Sequence, residues 1–170
     1  RPKDQSEAVR VKRAGYGQRY YDTYATNAKK ESDTMATVKL GSARIDENGH
    51  ATGGKAGDQT GREVSTQNWY KHSKGWRVLR AKDPEKRKLI AEAMKAACAN
   101  DKIGYDQYQR NTLYEKAKSV GFDAGKVTAK CETDCSALVR VCCAYAGITG
   151  LPSGFRTVNM GSYLLKTGAF

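Results

Sequence analysis

Residues 133–139 read Thr-Asp-Cys-Ser-Ala-Leu-Val and lead into an apolar pattern with helical spacing. Thr133 or Asp134 can cap that helix, which places Cys135 in its first turn. The partial positive charge at a helix N-terminus favours a thiolate over a thiol, so Cys135 is a candidate nucleophile. The alternative interpretation is an inert thiol on a buried helix.

The composition predicts one domain with a modest core and a strong positive charge. The chain has 170 residues, with 30 Lys+Arg against 18 Asp+Glu and a formal net charge of +12. Such a field attracts nucleic acid, an anionic membrane or an anionic cell wall. No apolar run approaches the ~20 residues that span a bilayer, and the first residues lack a signal pattern. The sequence therefore predicts neither membrane insertion nor a signal peptide.

Residues 1–34 are polar and basic and differ from the rest of the chain. We expect them to be an arm, a linker or an upstream segment, and residues 35–170 to form the domain. Tyrosines interleaved with arginines and lysines there suggest that the arm could stack on bases and pair with phosphates. No recognised nucleic-acid motif accompanies them, so a basic nucleic-acid-binding module is an alternative that rests on charge alone.

Five cysteines are present, and their odd number leaves at least one thiol unpaired if the others form internal bridges. Their spacing is not the C-x-x-C pattern of structural zinc sites, and the chain has only two histidines. The sequence therefore predicts no metal site and no cofactor. Helical periodicity predicts that Cys98 and Cys142 are core residues.

Periodicity and turn residues predict a weak strand in residues 38–45, a turn at 47–50 and an irregular glycine-rich loop at 49–61. Downstream, the pattern becomes mainly helical. The predicted helices cover residues 84–99, capped by Asp83, then 107–120, then about 134 to 147, and finally 157–166.

Four segments, taken in order, resemble phage peptidoglycan hydrolases of the NlpC-like cysteine peptidase superfamily. Within the cysteine motif, Ala137 replaces the commoner glycine. The resemblance extends over residues 43–170, about three quarters of the chain. The segments are residues 57–64 (GDQTGREV), Trp69-Tyr70, residues 100–111 (NDKIGYDQYQRN) and residues 131–143 (CETDCSALVRVCC).

The resemblance implies an α+β, papain-like fold in which helices carry the cysteine and a later antiparallel sheet carries the general base. It implies a phage-encoded endolysin or tail-associated lysin acting on the bacterial cell wall, with peptidoglycan as partner. The bond cleaved would be an amide within the stem peptide or between muramic acid and its first alanine. Cys135 would form an acyl-enzyme, and its backbone N–H would donate to the oxyanion.

Further polar residues are candidates for substrate binding. Tyr105 stands where the family has a tyrosine that lines the cleft, although a buried structural tyrosine is the alternative. Residues 58–63 could line the groove, or their side chains could only hold their own loop in place. The candidate substrate-binding residues are Tyr105, Asp134, Ser136, Asp58, Gln59, Thr60 and Glu63.

The chain departs from the family pattern in its general base, because no histidine follows Cys135. We expect residues 35–170 to be mostly the helical half of the fold, with the sheet half missing and the base beyond Phe170. His50 in an upstream loop is the alternative base, and His72 is a weaker one. A non-catalytic wall-binding remnant is a further alternative. If the sheet half is missing, the side of the Cys135 helix that the sheet would cover is expected to leave an exposed apolar patch at Cys135 and Leu138.

Overall fold

The computed structural model describes residues 38–170. The predicted arm, residues 1–34, lies outside the described residues. Leu40–Gln67 and Lys71–Phe170 together form one compact unit, and the site described below belongs to it.

The described residues form a mixed α+β structure, which confirms the α+β part of the predicted fold. Strands β1 and β2 make one two-stranded sheet, and β3 and β4 make another. The strands are β1 Lys39–Ala43, β2 Val64–Asn68, β3 Ile103–Tyr105 and β4 Cys131–Thr133. The helices are α1 Pro84–Cys98, α2 Thr112–Lys118, α3 Cys135–Tyr145 and α4 Met160–Lys166, with a short 3-10 turn at Ala124–Lys126.

Helix α1 begins where the sequence predicts. The Asp83 carboxylate accepts a hydrogen bond from the Glu85 N–H at 2.9 Å. Pro84 occupies the first turn, where a helix does not need the N–H that proline lacks. Ala93 and Ala97 are buried, and α1 packs against α3. The small side chains allow the two helices to approach closely.

Helix α2 is shorter than predicted, because the expected helix over residues 107–120 begins only at Thr112. Asp106 explains the difference. Its carboxylate accepts hydrogen bonds from the backbone N–H groups of Tyr108 and Gln109, the latter at 3.0 Å. A side chain that bonds nearby N–H groups in this way competes with helix formation. The residues before α2 therefore form a loop, and this loop supplies one wall of the site.

Strands β3 and β4 are parallel, with Tyr105 opposite Thr133. The pairing continues one step further, since the Asp106 N–H donates to the Thr133 carbonyl at 3.1 Å. Asp134 follows β4 directly and caps α3. Because both strands run in the same direction, their carboxyl ends lie at the same edge of the sheet. This brings the Asp106 loop and the N-terminus of α3 together.

Helix α3 buries the apolar face that the sequence predicts. Leu138 and Val141 are fully buried, and Cys142 is almost so. They belong to one core cluster with residues of α1 and α2, which both pack on α3. The expected apolar patch at Leu138 is therefore wrong: residues of the chain itself cover this side chain.

A second core cluster forms around Phe155, which is fully buried. Helix α4 is shorter than the predicted helix over residues 157–166. The Asn159 side chain explains this, because its Oδ1 accepts the Arg156 N–H at 2.7 Å and its Nδ2 donates to the Gly154 carbonyl at 3.1 Å. These bonds hold the preceding residues as a turn, and the turn forms the opposite wall of the site.

Candidate active site

Cys135 is the first residue of α3. The Asp134 carboxylate caps the helix and accepts the Ala137 N–H at 2.7 Å. N–H groups in the first turn lack intrahelical acceptors, so the dipole and these amides make the surroundings of the Cys135 sulfur electropositive. The sequence predicted this placement from the local Asp-Cys-Ser pattern.

A buried arginine fixes the start of α3. Arg110 Nε lies 2.7 Å from Asp134 Oδ2, and Nη2 donates to Asp134 Oδ1 at 3.1 Å. Nη2 also donates to Ser136 Oγ at 2.7 Å and to the Phe155 carbonyl. Arg110 is only 6% exposed and Asp134 only 9%. Through this two-point charge-assisted contact and its further bonds, Arg110 joins the loop before α2, helix α3 and the turn before α4.

Sequence reasoning did not identify Arg110 as a site residue. It stands in the polar stretch of residues 100–111, where a buried arginine cannot be distinguished from a solvated one. Its partner Asp134 is 24 positions away, and only the fold brings the two together. The one feature of the sequence that could have pointed to Arg110 is Asp134, because a buried carboxylate requires a positively charged partner.

A cleft of about 310 Å³ opens beside the Cys135 thiol. Across the cleft, Thr157 Oγ1 lies 3.3 Å from Cys135 Sγ. Tyr108 and Val158 line the cleft but are 84% and 93% exposed, so two apolar side chains project into solvent at its rims. The remaining lining residues are polar or charged: Gln107, Arg110, Asp134, Ser136 and Arg156.

Tyr105 lies behind the cleft rather than in its lining. It is 5% exposed, and its hydroxyl accepts a hydrogen bond from Gln107 Nε2 at 3.0 Å. Burial raises the pKa of the Tyr105 phenol, and the Gln107 hydrogen bond partly offsets this. The charges of Cys135 and Asp134 raise that pKa further. Tyr105 is thus an electrostatic neighbour of Cys135 and supports the cleft through Gln107.

The polar residues at 58–63 hold their own loop. Asp58 Oδ1 accepts the N–H groups of Thr60 and Gly61 at 2.9 and 2.7 Å. Gln59 Nε2 donates to the Gly57 carbonyl at 2.6 Å. None of the predicted residues Asp58, Gln59, Thr60 and Glu63 is among the residues that line the Cys135 cleft.

Glu63 connects that loop to the site. Its buried carboxylate accepts the Gln59 N–H at 2.7 Å and the Tyr105 N–H at 3.0 Å. Burial raises the pKa of Glu63, and these two hydrogen bonds lower it by a smaller amount. Glu63 therefore fixes the backbone of Tyr105, which pairs with Thr133 of β4, without reaching the cleft.

A second buried carboxylate was not foreseen. Glu132 Oε1 accepts the Gly57 N–H at 2.8 Å, whereas Oε2 is buried without a hydrogen-bond partner among the described residues. Burial raises the pKa of Glu132 to about 7, and the charges of Glu63 and Asp106 add to the increase. Glu132 lies in β4, two residues before Asp134, the residue that caps helix α3.

The two histidines lie outside the cleft lining. His50 is exposed, but the next residue, Ala51, accepts the Gln107 N–H at 3.0 Å through its carbonyl. The loop that carries His50 therefore contacts a wall residue of the cleft. His72 packs edge-on against Trp76 with ring centroids 5.5 Å apart.

Within residues 38–170, no helix has the length and hydropathy to cross a bilayer. No group of three or more His, Cys, Asp or Glu side chains in this part of the chain is arranged to hold a metal ion. All five cysteines are free thiols.

No curated protein and no solved structure matches the chain significantly. Residues 40–170 match the family model of the endolysin-like domain. This region includes the cleft, the capped cysteine and Arg110, and it covers well over half of the sequence. The chain therefore belongs to the endolysin-like domain family.

Proposed function

We propose that this protein is a phage-encoded lysin that hydrolyses an amide bond of bacterial peptidoglycan with Cys135 as nucleophile. One observation carries the proposal: Cys135 opens onto a cleft at a helix N-terminus. Cys131, Cys142 and Cys143 are buried, and Cys98 is half-buried against the core. Family membership supplies the cell wall as the site of action.

The reaction follows from this placement. A general base takes the proton of the Cys135 thiol. The thiolate then adds to the carbonyl carbon of the amide, and the resulting oxyanion accepts a hydrogen bond from the Cys135 backbone N–H. The C–N bond then breaks, and the amine leaves with a proton supplied by the general base, now acting as acid. Water adds to the thioester and releases the acid product together with free Cys135.

The polar residues around the thiol take supporting roles in this proposal. Asp134 and Ser136 hold the first turn of α3, since both are bonded to Arg110. Tyr105 supports the cleft wall through Gln107. Asp58, Gln59, Thr60 and Glu63 act on substrate only indirectly. The first three hold their own loop, and Glu63 of that loop accepts the Tyr105 N–H.

The charge of the cleft favours an anionic substrate. Arg110 is neutralised by Asp134, whereas the Arg156 side chain is exposed and belongs to no ion pair among the described residues. The lining therefore has an excess positive charge beside the thiol. A peptide with a carboxylate near the scissile amide fits this charge, as does an anionic wall polymer.

We further propose that the enzyme is a papain-like cysteine peptidase or amidase. Support comes from the nucleophile in the first turn of a helix that packs against other helices. Either an amide of the stem peptide or the bond between muramic acid and alanine is the substrate bond. Mass analysis of the released fragments distinguishes the two, because only the second reaction separates the glycan from the peptide.

A turbidity assay on purified bacterial walls tests the proposal. We expect the protein to clear the suspension and Cys135→Ala to abolish clearing, because no other thiol opens onto the cleft. Cys98→Ser is the matched control, since it removes a thiol outside the cleft and should leave clearing intact. Clearing that survives Cys135→Ala would contradict the proposal. Sedimentation with walls in the absence of clearing by the wild type would instead support a non-catalytic wall-binding protein.

The same assay tests His50 as the general base. If His50 takes this role, His50→Ala should reduce the clearing rate by at least 100-fold, within the range that general bases contribute. The control is His72→Ala, which alters the histidine that packs on Trp76. Equal rates for His50→Ala and the wild type would exclude His50 and leave the base to another residue.

A further inference from the structure

Thr157 contacts the sulfur of Cys135, the residue proposed above as the nucleophile. Its Oγ1 is 3.3 Å from Cys135 Sγ, within hydrogen-bond distance for sulfur. Both residues line the same cleft, and Thr157 is itself exposed. No other side-chain hydrogen bond to Cys135 Sγ is found within residues 38–170.

The fold fixes Thr157 in this position. The Phe155 carbonyl accepts a hydrogen bond from Arg110, which also binds the Asp134 cap of α3. On the other side, Asn159 binds the Arg156 N–H at 2.7 Å. The turn that carries the threonine and the helix that carries the cysteine are therefore held by one arginine. The contact between them is a property of the site rather than of a loose loop.

When Cys135 is ionised, the hydrogen bond between Thr157 and Cys135 can form only with Thr157 as the donor. A thiolate can only accept a hydrogen bond, whereas a hydroxyl can donate one. Hydrogen bonds to an ionised acceptor are stronger than those between neutral groups, so donation from Thr157 stabilises the thiolate more than the thiol. The hydroxyl thus adds to the effect of the α3 N-terminus on Cys135.

We propose that Thr157 is a positioning residue that donates a hydrogen bond to the Cys135 thiolate and sets its reactivity. This inference rests on the proposed role of Cys135 as nucleophile. It adds a residue to the site that the sequence motif does not contain, because Thr157 lies 22 positions downstream of the cysteine.

The rate of alkylation by iodoacetamide as a function of pH tests this proposal directly. In that reaction the Cys135 sulfur forms a bond to the reagent's carbon, the C–I bond breaks, iodide leaves, and the thiol proton goes to the buffer. We expect Thr157→Val to shift the midpoint of the profile upward and to slow alkylation below it by about three- to tenfold, since one charge-assisted hydrogen bond is lost. Thr157→Ser, which keeps the hydroxyl, should restore the wild-type profile.

The reagent reports on Cys135 selectively. Burial raises the pKa of the Cys131 and Cys143 thiols to about 12 and raises that of Cys142 as well. Cys98 is half-buried, and burial also raises its pKa. Thiolates at these positions are scarce near neutral pH. The background rate is measured with Cys135→Ser and subtracted.

Arg156 provides the control for a general electrostatic effect. Its charge also favours a thiolate in the cleft, but salt screens that contribution, with a Debye length of roughly 3 Å at 1 M. We expect Arg156→Gln to slow alkylation at low salt and to match the wild type at roughly 1 M salt. The effect of Thr157→Val should persist at both salt concentrations, because the hydrogen bond acts at contact distance.

Superimposable pH profiles for Thr157→Val and the wild type would overturn the proposal. So would a Thr157→Ser profile as slow as that of Thr157→Val, which would indicate a steric role for the threonine methyl. Neither outcome depends on wall hydrolysis. Conversely, clearing that survives Cys135→Ala would contradict the proposed function while leaving the thiol profiles to report on the Thr157 contact alone.

Discussion

At the residue scale, the site depends on the buried Arg110–Asp134 ion pair. The guanidinium contacts both carboxylate oxygens, and both residues are more than nine-tenths buried. Removing water from two charges is costly, and the pair offsets this only while both members are present. The same arginine also binds Ser136 and the turn before α4. The loss of Arg110 would therefore affect both the stability of the fold and the position of Cys135.

Arg110→Met is expected to lower the free energy of unfolding by about 3–5 kcal/mol, because it leaves a buried carboxylate without a counter-charge. Urea denaturation measures this. The matched control is Glu115→Gln, which breaks the exposed pair between Glu115 and Lys118 and should cost less than about 1 kcal/mol. A loss below about 1 kcal/mol for Arg110→Met would contradict the role assigned to the pair.

Glu132 makes stability depend on pH. Its pKa is about 7 in the folded protein, chiefly because of burial, against the usual value of 4.5. The folded state therefore holds a proton that the unfolded state has already lost between these values. Stability contributed by this group is present below about pH 4.5 and is lost as pH rises to about 7, by about 3 kcal/mol in total.

Glu132→Gln should remove this dependence, since an amide stays neutral and its oxygen can still accept the Gly57 N–H. We expect the variant to be more stable than the wild type at about pH 8 and to differ less at about pH 5. Urea denaturation at both pH values is the measurement. Glu63, whose pKa is also raised, contributes a decline of the same sign that remains in the variant. Wild-type stability that rises from pH 5 to pH 8 would be the opposite result.

At the element scale, the β3–β4 pair requires a glycine. A Cβ on Gly104 would lie 2.6 Å from the Gly57 carbonyl oxygen and 2.8 Å from Glu132 Oε2. Carbon and oxygen do not approach so closely without bonding, so the loop at Gly57 would have to move away from the strand. That loop leads to Glu63, which holds the Tyr105 backbone, and β4 is followed by Asp134 and Cys135.

Gly104→Ala is accordingly expected to cost about 1–3 kcal/mol, the usual penalty for forcing extra atoms into a packed region. Thermal unfolding followed by circular dichroism measures it. Gly154→Ala is the matched control, because a Cβ there meets nothing within 4 Å. Equal melting temperatures for the two variants would contradict the requirement for glycine at position 104.

Helices were predictable from the sequence where capping residues and proline mark their ends. Helix α1 was predicted correctly because Asp83 and Pro84 define its start within two residues. Helix α2 was predicted too long because Asp106 binds the backbone ahead of it, and hydropathy does not reveal this. Strands β3 and β4 have three residues each, which is too short for an alternating pattern to be detected.

At the scale of the whole molecule, the sequence indicated the capped helix that begins at Cys135 and the endolysin-like family, but not the long-range contacts of the site. Cys135 was predictable because its cap and helix are contiguous with it. Arg110 and Thr157 were not, because the fold brings them to the cysteine from 25 positions before and 22 positions after it. Leu138 was expected to be exposed, but α1 and α2 cover it, which single-segment reasoning does not take into account.

The central claim is that Cys135 cleaves an amide bond of peptidoglycan. Mass spectrometry of soluble wall fragments, before and after incubation with the protein, tests it most directly. We predict products that together exceed the substrate by the mass of one water, formed by the wild type and absent with Cys135→Ala. The same products formed at the same rate by Cys135→Ala would contradict the claim.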